Sequence, residues 1–382
     1  MPRALKIAIG LLVVIALGAV AVGGIAAVVG LGTVGAIASS RASSPDAVPV
    51  AAGQSGPTAE DPCPGGCITF AVNVHDVDHV SESADTVMHA IDIFTSHGVK
   101  GEFYITGAMA ERYAKERPDV VARIQATGMT VSYHFRPPHP LYAGFDGRLK
   151  SLSDADLATT LRDYETYAIS PTTGDLDRTR PGGYALVRDT FGSAPVTVSP
   201  MTTDPRLHQA ALEVYRSMGA KAAIFYHEGG APAEYPLETR AGLLVRPSDF
   251  GVTRWDDGHG HSPFWWSRVL RDPSYNPLDH LRTELREWTK PRGAFVTVLM
   301  HENDFMRQDA PEWTYAYYPN GDGKASPLPP PWTVDRADPT HQRSPEERAA
   351  IWSAYDQLVG WASTNLHVVT DVDILQMPQR AR

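Results

Sequence analysis

Two cysteines in 382 residues are too few for a thiolate metal centre or a disulfide-built fold. Both, Cys63 and Cys67, sit in one short stretch around Pro64-Gly65-Gly66, so the pairing they suggest is a single small-loop disulfide at the start of a domain. Positive charge is also scarce. There are 34 Lys and Arg against 44 Asp and Glu, a formal net charge of -10, and no basic block in the part that should fold. Phosphate binding needs a basic face, so nucleic acid is excluded as the main partner. Charge of either sign is missing from Ile7 to Ala38, behind Arg3 and Lys6. That run exceeds the roughly 20 residues a helix needs to cross a bilayer. Basic residues in front predict an uncleaved, single-pass, N-in anchor over 7–38 in the cell membrane, with everything later extracytoplasmic. A long signal cleaved at Ala36-Ile37-Ala38, giving a secreted protein, is the alternative. Residues 39–62 are rich in Ser, Ala, Pro and Gly and read as a flexible tether, leaving 63–382 as the domain.

From Ile68 onward strand-like and helix-like runs alternate. Ile68–Val74, Lys100–Ile105, Met129–Tyr133, Ala222–Tyr226, Phe295–Met300 and His367–Thr370 read as strands. Between them lie helical patterns, with Ser153 as a cap and Ser344-Pro345-Glu346-Glu347 as a capping box. Such alternation predicts an α/β fold with a parallel sheet closed, or nearly closed, into a (β/α) barrel. Two long segments interrupt it, 229–291 and 303–342, and both carry many aromatics.

Three of the strand-like runs end in chemistry-bearing residues. Asn73-Val74-His75-Asp76-Val77-Asp78-His79 follows the first, His134-Phe135-Arg136-Pro137-Pro138-His139 the third, and His301-Glu302-Asn303-Asp304 the late one. Strand carboxyl ends are where α/β folds collect catalytic groups. Carboxylate with imidazole suits Zn²⁺ and its neighbours, so the pattern points to a metal-dependent hydrolase. His75 reads as a local hydrogen-bonding or pocket-lining residue. His259 and His261 form a second His/Asp cluster, read as a polar loop.

These segments in this order resemble the polysaccharide deacetylases, the carbohydrate esterase family 4 group with a NodB homology domain, over about 68–377. Gly98–Gly107 resembles the family's second strand, Gly128–His134 the strand delivering its first metal histidine, Ser151–Leu157 the helix start that follows, and Val298–His301 its late Leu-x-His motif. The resemblance implies a distorted seven-stranded barrel and removal of acetyl groups from an N- or O-acetylated extracytoplasmic glycan. It makes Asp76 the catalytic base and Asp78, His134 and His139 the ligands of a divalent metal, Zn²⁺ first, with Co²⁺, Ni²⁺ or Mn²⁺ as substitutes. It makes His301 the acid and Arg180, in Arg180-Pro181-Gly182-Gly183-Tyr184, the residue orienting the base, held by Asp256 or Asp257. Tyr184, Trp255 and Trp313 are the expected sugar-facing aromatics. The chain departs from the pattern at Val77, inserted between the aspartates, and in having four residues between His134 and His139 where the family has three. A catalytically inactive glycan-binding relative is the rival reading, and a metal hydrolase of a non-sugar amide a third.

Overall fold

A computed structural model describes Cys63, 66–142, 144–224, 237–246, Trp266, 268–287, 295–308, 316–319, 326–333 and 341–377, and the fold is given for these residues. The strands in chain order are β1 (Cys67–Val74), β2 (Glu102–Ile105), β3 (Thr130–Tyr133), β4 (Tyr167–Ile169), β5 (Leu176–Pro181), β6 (Thr197–Val198), β7 (Ala222–Ile224), β8 (Thr239–Arg240), β9 (Leu243–Arg246), β10 (Phe295–His301) and β11 (His367–Val368). Nine of them form one sheet in the order β10-β1-β2-β3-β6-β7-β9-β8, with β11 also on β1. Setting aside β11 and the antiparallel β8 leaves seven parallel strands in one row.

The strand period of two divides the residues between faces. Ile68, Phe70, Val72 and Val74 of β1, Phe103 and Ile105 of β2 and Val296, Val298 and Met300 of β10 pack in the main core with the helices. Thr69, Ala71 and Asn73, Glu102 and Tyr104, and Thr297, Leu299 and His301 take the opposite face. That second face curls inward. Arg246 of β9 donates to Thr297 Oγ1 of β10 at 3.0 Å, although the two strands share no backbone ladder among the described residues. The architecture is mixed α/β with a curled half-barrel sheet, consistent with the closed or nearly closed barrel expected from the sequence, and no ladder joins β9 to β10 among the described residues.

Local signals account for the helix ends. Ser344 accepts from Glu347 N–H at 3.2 Å and Glu347 accepts from Ser344 N–H at 2.8 Å, which starts the helix Pro345–Asn365 as its capping box demands. Ser153 caps Asp154–Tyr164. Gly107, at the end of the stretch Gly98–Gly107 read as strand-like, instead opens a helix, Gly107–Glu116, in which Thr106 Oγ1 accepts Met109 N–H at 3.2 Å. Cys63 and Cys67 form a disulfide and are buried.

The membrane placement needs correction. The expected anchor over 7–38 lies outside the described residues, and among the described residues no helix is long and apolar enough to cross a membrane.

Candidate active site

The carboxyl ends of β1, β3 and β10 bring three imidazoles together on the inner face. Register sets Asn73 beside His301, and Asn73 Nδ2 donates to His301 Nε2 at 3.2 Å. The His75 ring lies 5.3 Å from His301 and 6.3 Å from His134, centroid to centroid. His134 Nδ1 pairs with Ser199 Oγ at 2.7 Å, just beyond β6. Burial first, and the Arg136 charge second, push all three rings below the ordinary histidine range, His301 to about 3. In this state the cluster is neutral near pH 7.

Asp76 follows at once on β1 and is wholly buried. Its Oδ2 accepts from Arg307 Nε at 2.6 Å and its Oδ1 from His79 N–H at 3.1 Å. Glu302 Oε1 receives the backbone N–H groups of both His75 and Asp76, each at 2.5 Å. Burial, then the Asp76 charge, push the Glu302 carboxyl up to about 8.

A cavity of about 290 Å³ opens beside this cluster, with His75, Asp78, Arg136, His139, Tyr167 and Tyr317 on its wall. The β4–β5 hairpin, a separate two-stranded sheet that the sequence did not announce, supplies Tyr167.

The expected metal donors are not assembled. Asp78 is half-buried on the cavity wall. His139 Nδ1 accepts Leu141 N–H at 3.2 Å, so the ring proton belongs on Nε2, which stands 3.0 Å from Glu165 Oε1. Glu165 is a buried hub, taking Tyr184 N–H at 3.0 Å on Oε2 and the Tyr215 hydroxyl on Oε1. Among the described residues no three His, Cys, Asp or Glu side chains are grouped so as to hold a metal ion. The residues therefore do not fit the expected ion as they stand.

Two further expectations are corrected. Arg180 does not meet Asp76. It pairs with Glu111 at 2.5 Å, both side chains 47% exposed, at the cavity edge. Tyr184 packs in the core against Tyr133 and Tyr215 and donates its hydroxyl to Pro195 O at 2.9 Å, so it faces no substrate. Trp255, Trp313, Asp256, Asp257, His259 and His261 lie outside the described residues. Arg307, Glu302, Glu165 and Arg136 were missed as site residues. The available signal was weak for Glu165, but Arg307 is the first cation after His301-Glu302-Asn303-Asp304, and Arg136 sits between the two histidines that were singled out.

No family model matches the sequence, and no curated protein is similar to it in sequence. Among solved structures the chain is similar to the Puue allantoinase, at 12% identity over 83% of this chain and 93% of that one, with a TM-score of 0.46. It is similar to a probable polysaccharide deacetylase from Pseudomonas aeruginosa PAO1, at 11% identity over 83% and 93%, with a TM-score of 0.45. It is also similar to the peptidoglycan deacetylase PdaC from Bacillus subtilis, at 11% identity over 83% and 91%, with a TM-score of 0.36. Likenesses of this size leave the chemistry to be read from the residues.

Proposed function

We propose that this chain is a hydrolase of the polysaccharide-deacetylase kind, removing acetyl groups from an acetylated glycan, with Asp76 as the base that takes the proton of the attacking water. One observation carries the reading. A buried carboxylate at the end of β1 is held by a buried guanidinium, Asp76 Oδ2 to Arg307 Nε at 2.6 Å, within a turn that also carries His75. A carboxylate held in one orientation between the cavity-wall residues His75 and Val77 supports the general-base reading. His301 is the donor to the departing group. Its imidazole is neutral at rest, so the proton it delivers to the departing group is the one Asp76 takes from the attacking water, passed to the imidazole before that group leaves. A divalent ion would supply an activated water and a polarised carbonyl. Asp78, His134 and His139 do not form a metal-holding group among the described residues.

The position of His139 against Glu165 favours a second reading, an inactive relative that binds the glycan. One assay separates the two. Purified full-length chain is incubated with a panel of N- and O-acetylated glycans, with and without added Zn²⁺ or Co²⁺, and released acetate is measured. Release that Asp76→Asn abolishes supports the hydrolase. Binding to a glycan with no acetate from any member, under either condition, overturns it.

A further inference from the structure

Beyond Asp76 and His301, the late segment carries Glu302, whose buried carboxyl has no part in the proposed proton transfers. We infer that Glu302 is a positioning residue that sets the backbone turn delivering Asp76, an inference resting on Asp76 being the base. The connection runs both ways between the two strand ends. Glu302 N–H donates to Asn73 O at 3.0 Å, and Glu302 Oε1 accepts His75 N–H and Asp76 N–H at 2.5 Å each. One carboxyl oxygen thus takes two successive amides that the β ladder has stopped pairing, since the β1–β10 register ends at Asn73 and His301. Left without that acceptor, two buried N–H groups are costly, and the turn must move to find others. Arg307, from the same segment, then fixes the Asp76 side chain. Glu302 sets where the residue starts and Arg307 where its carboxylate ends.

A Glu that merely stabilised the domain would not act selectively on turnover. A displacement of about 1 Å at a reacting group costs on the order of 10²-fold in rate. Glu302→Leu is therefore expected to lower kcat about 10²-fold with KM unchanged. It should also speed amide hydrogen exchange in the 73–79 segment and not across the rest of the domain. Glu302→Gln keeps the accepting oxygen and should restore both. Glu302→Asp, one methylene short, should behave as the Leu variant does and serves if that variant does not fold. Unchanged exchange over 73–79 in both the Leu and Asp variants overturns the inference. So does a Gln variant that loses turnover while its amides stay protected, since the carboxyl would then act through its proton and not through position. A parent chain that releases no acetate defeats the hydrolase reading alone, because the exchange measurements still decide what Glu302 holds.

Discussion

Arg307 Nε and Asp76 Oδ2 meet at 2.6 Å with neither side chain exposed, while Arg180, the arginine expected beside Asp76, pairs with Glu111 at the surface. Burial decides how much each pair matters. Removing one partner of a buried pair leaves an uncompensated charge and costs about 3–5 kcal/mol, whereas an exposed pair is worth about 0–1 kcal/mol. Arg307→Met should therefore lower unfolding stability by about 3–5 kcal/mol and abolish acetate release. Arg180→Ala should shift denaturant midpoints little. Equal stability losses in the two variants would show that the buried pair does not anchor Asp76.

His139 gives a second contrast. Its Nδ1 accepts Leu141 N–H and its Nε2 stands 3.0 Å from Glu165 Oε1, so the ring faces a carboxylate of the fold. His139→Ala is expected to destabilise by about 1–3 kcal/mol, the cost of leaving a buried polar group unsatisfied, and to leave the zinc content of purified protein unchanged. Urea unfolding and elemental analysis read the two effects. Zinc present in the parent and lost in His139→Ala would return His139 to the ligand set expected from sequence.

Much of the scaffold was legible in the chain. β1, β3 and β10 fall where apolar runs precede Asn73, His134 and His301, because a strand buried on both faces writes itself as such a run. The capping box at Ser344 fixed a helix start without tertiary help. β6 and β9 were not legible. Two and four residues long, they are held by neighbours, not by propensity. The site was half legible for a similar reason. Position along a strand announced where Asp76 and His301 would lie, but which arginine reaches Asp76 depends on how the segment after β10 turns back over β1. Arg180 and Arg307 are equally plausible in one dimension, and only burial separates them.

The inner face gives a third prediction. Arg246 Nε stands 2.6 Å from Asp371 Oδ1, Nη1 3.6 Å from Glu102 Oε2, and Nη2 donates to Thr297 at 3.0 Å, all buried. One cation thus serves two acids, and burial followed by the Asp371 charge pushes the Glu102 carboxyl well up. Arg246→Met should destabilise by about 3–5 kcal/mol, and replacing Glu102 and Asp371 as well by apolar residues of matching volume should restore much of the loss. A single variant as stable as the parent in urea would mean that this cluster does not tie β9 to β10.

The last prediction concerns pH. The Glu302 carboxyl is pushed up to about 8 in the fold, by burial first and by Asp76 second, against about 4.3 in an unfolded chain. A group whose folded value is raised holds its proton more tightly when folded. Its stabilising contribution is whole below the unfolded value and is lost as pH rises through the folded one. Glu302→Gln has no such proton to lose, and groups that titrate alike in both proteins cancel in the comparison. The parent should therefore lose stability relative to Glu302→Gln between about pH 4.5 and pH 8, with the gap level above that. Denaturant midpoints for both proteins at a series of pH values across this window measure it. A gap that stays constant throughout, or that moves in favour of the parent as pH rises, would show that Glu302 is already ionised in the folded protein.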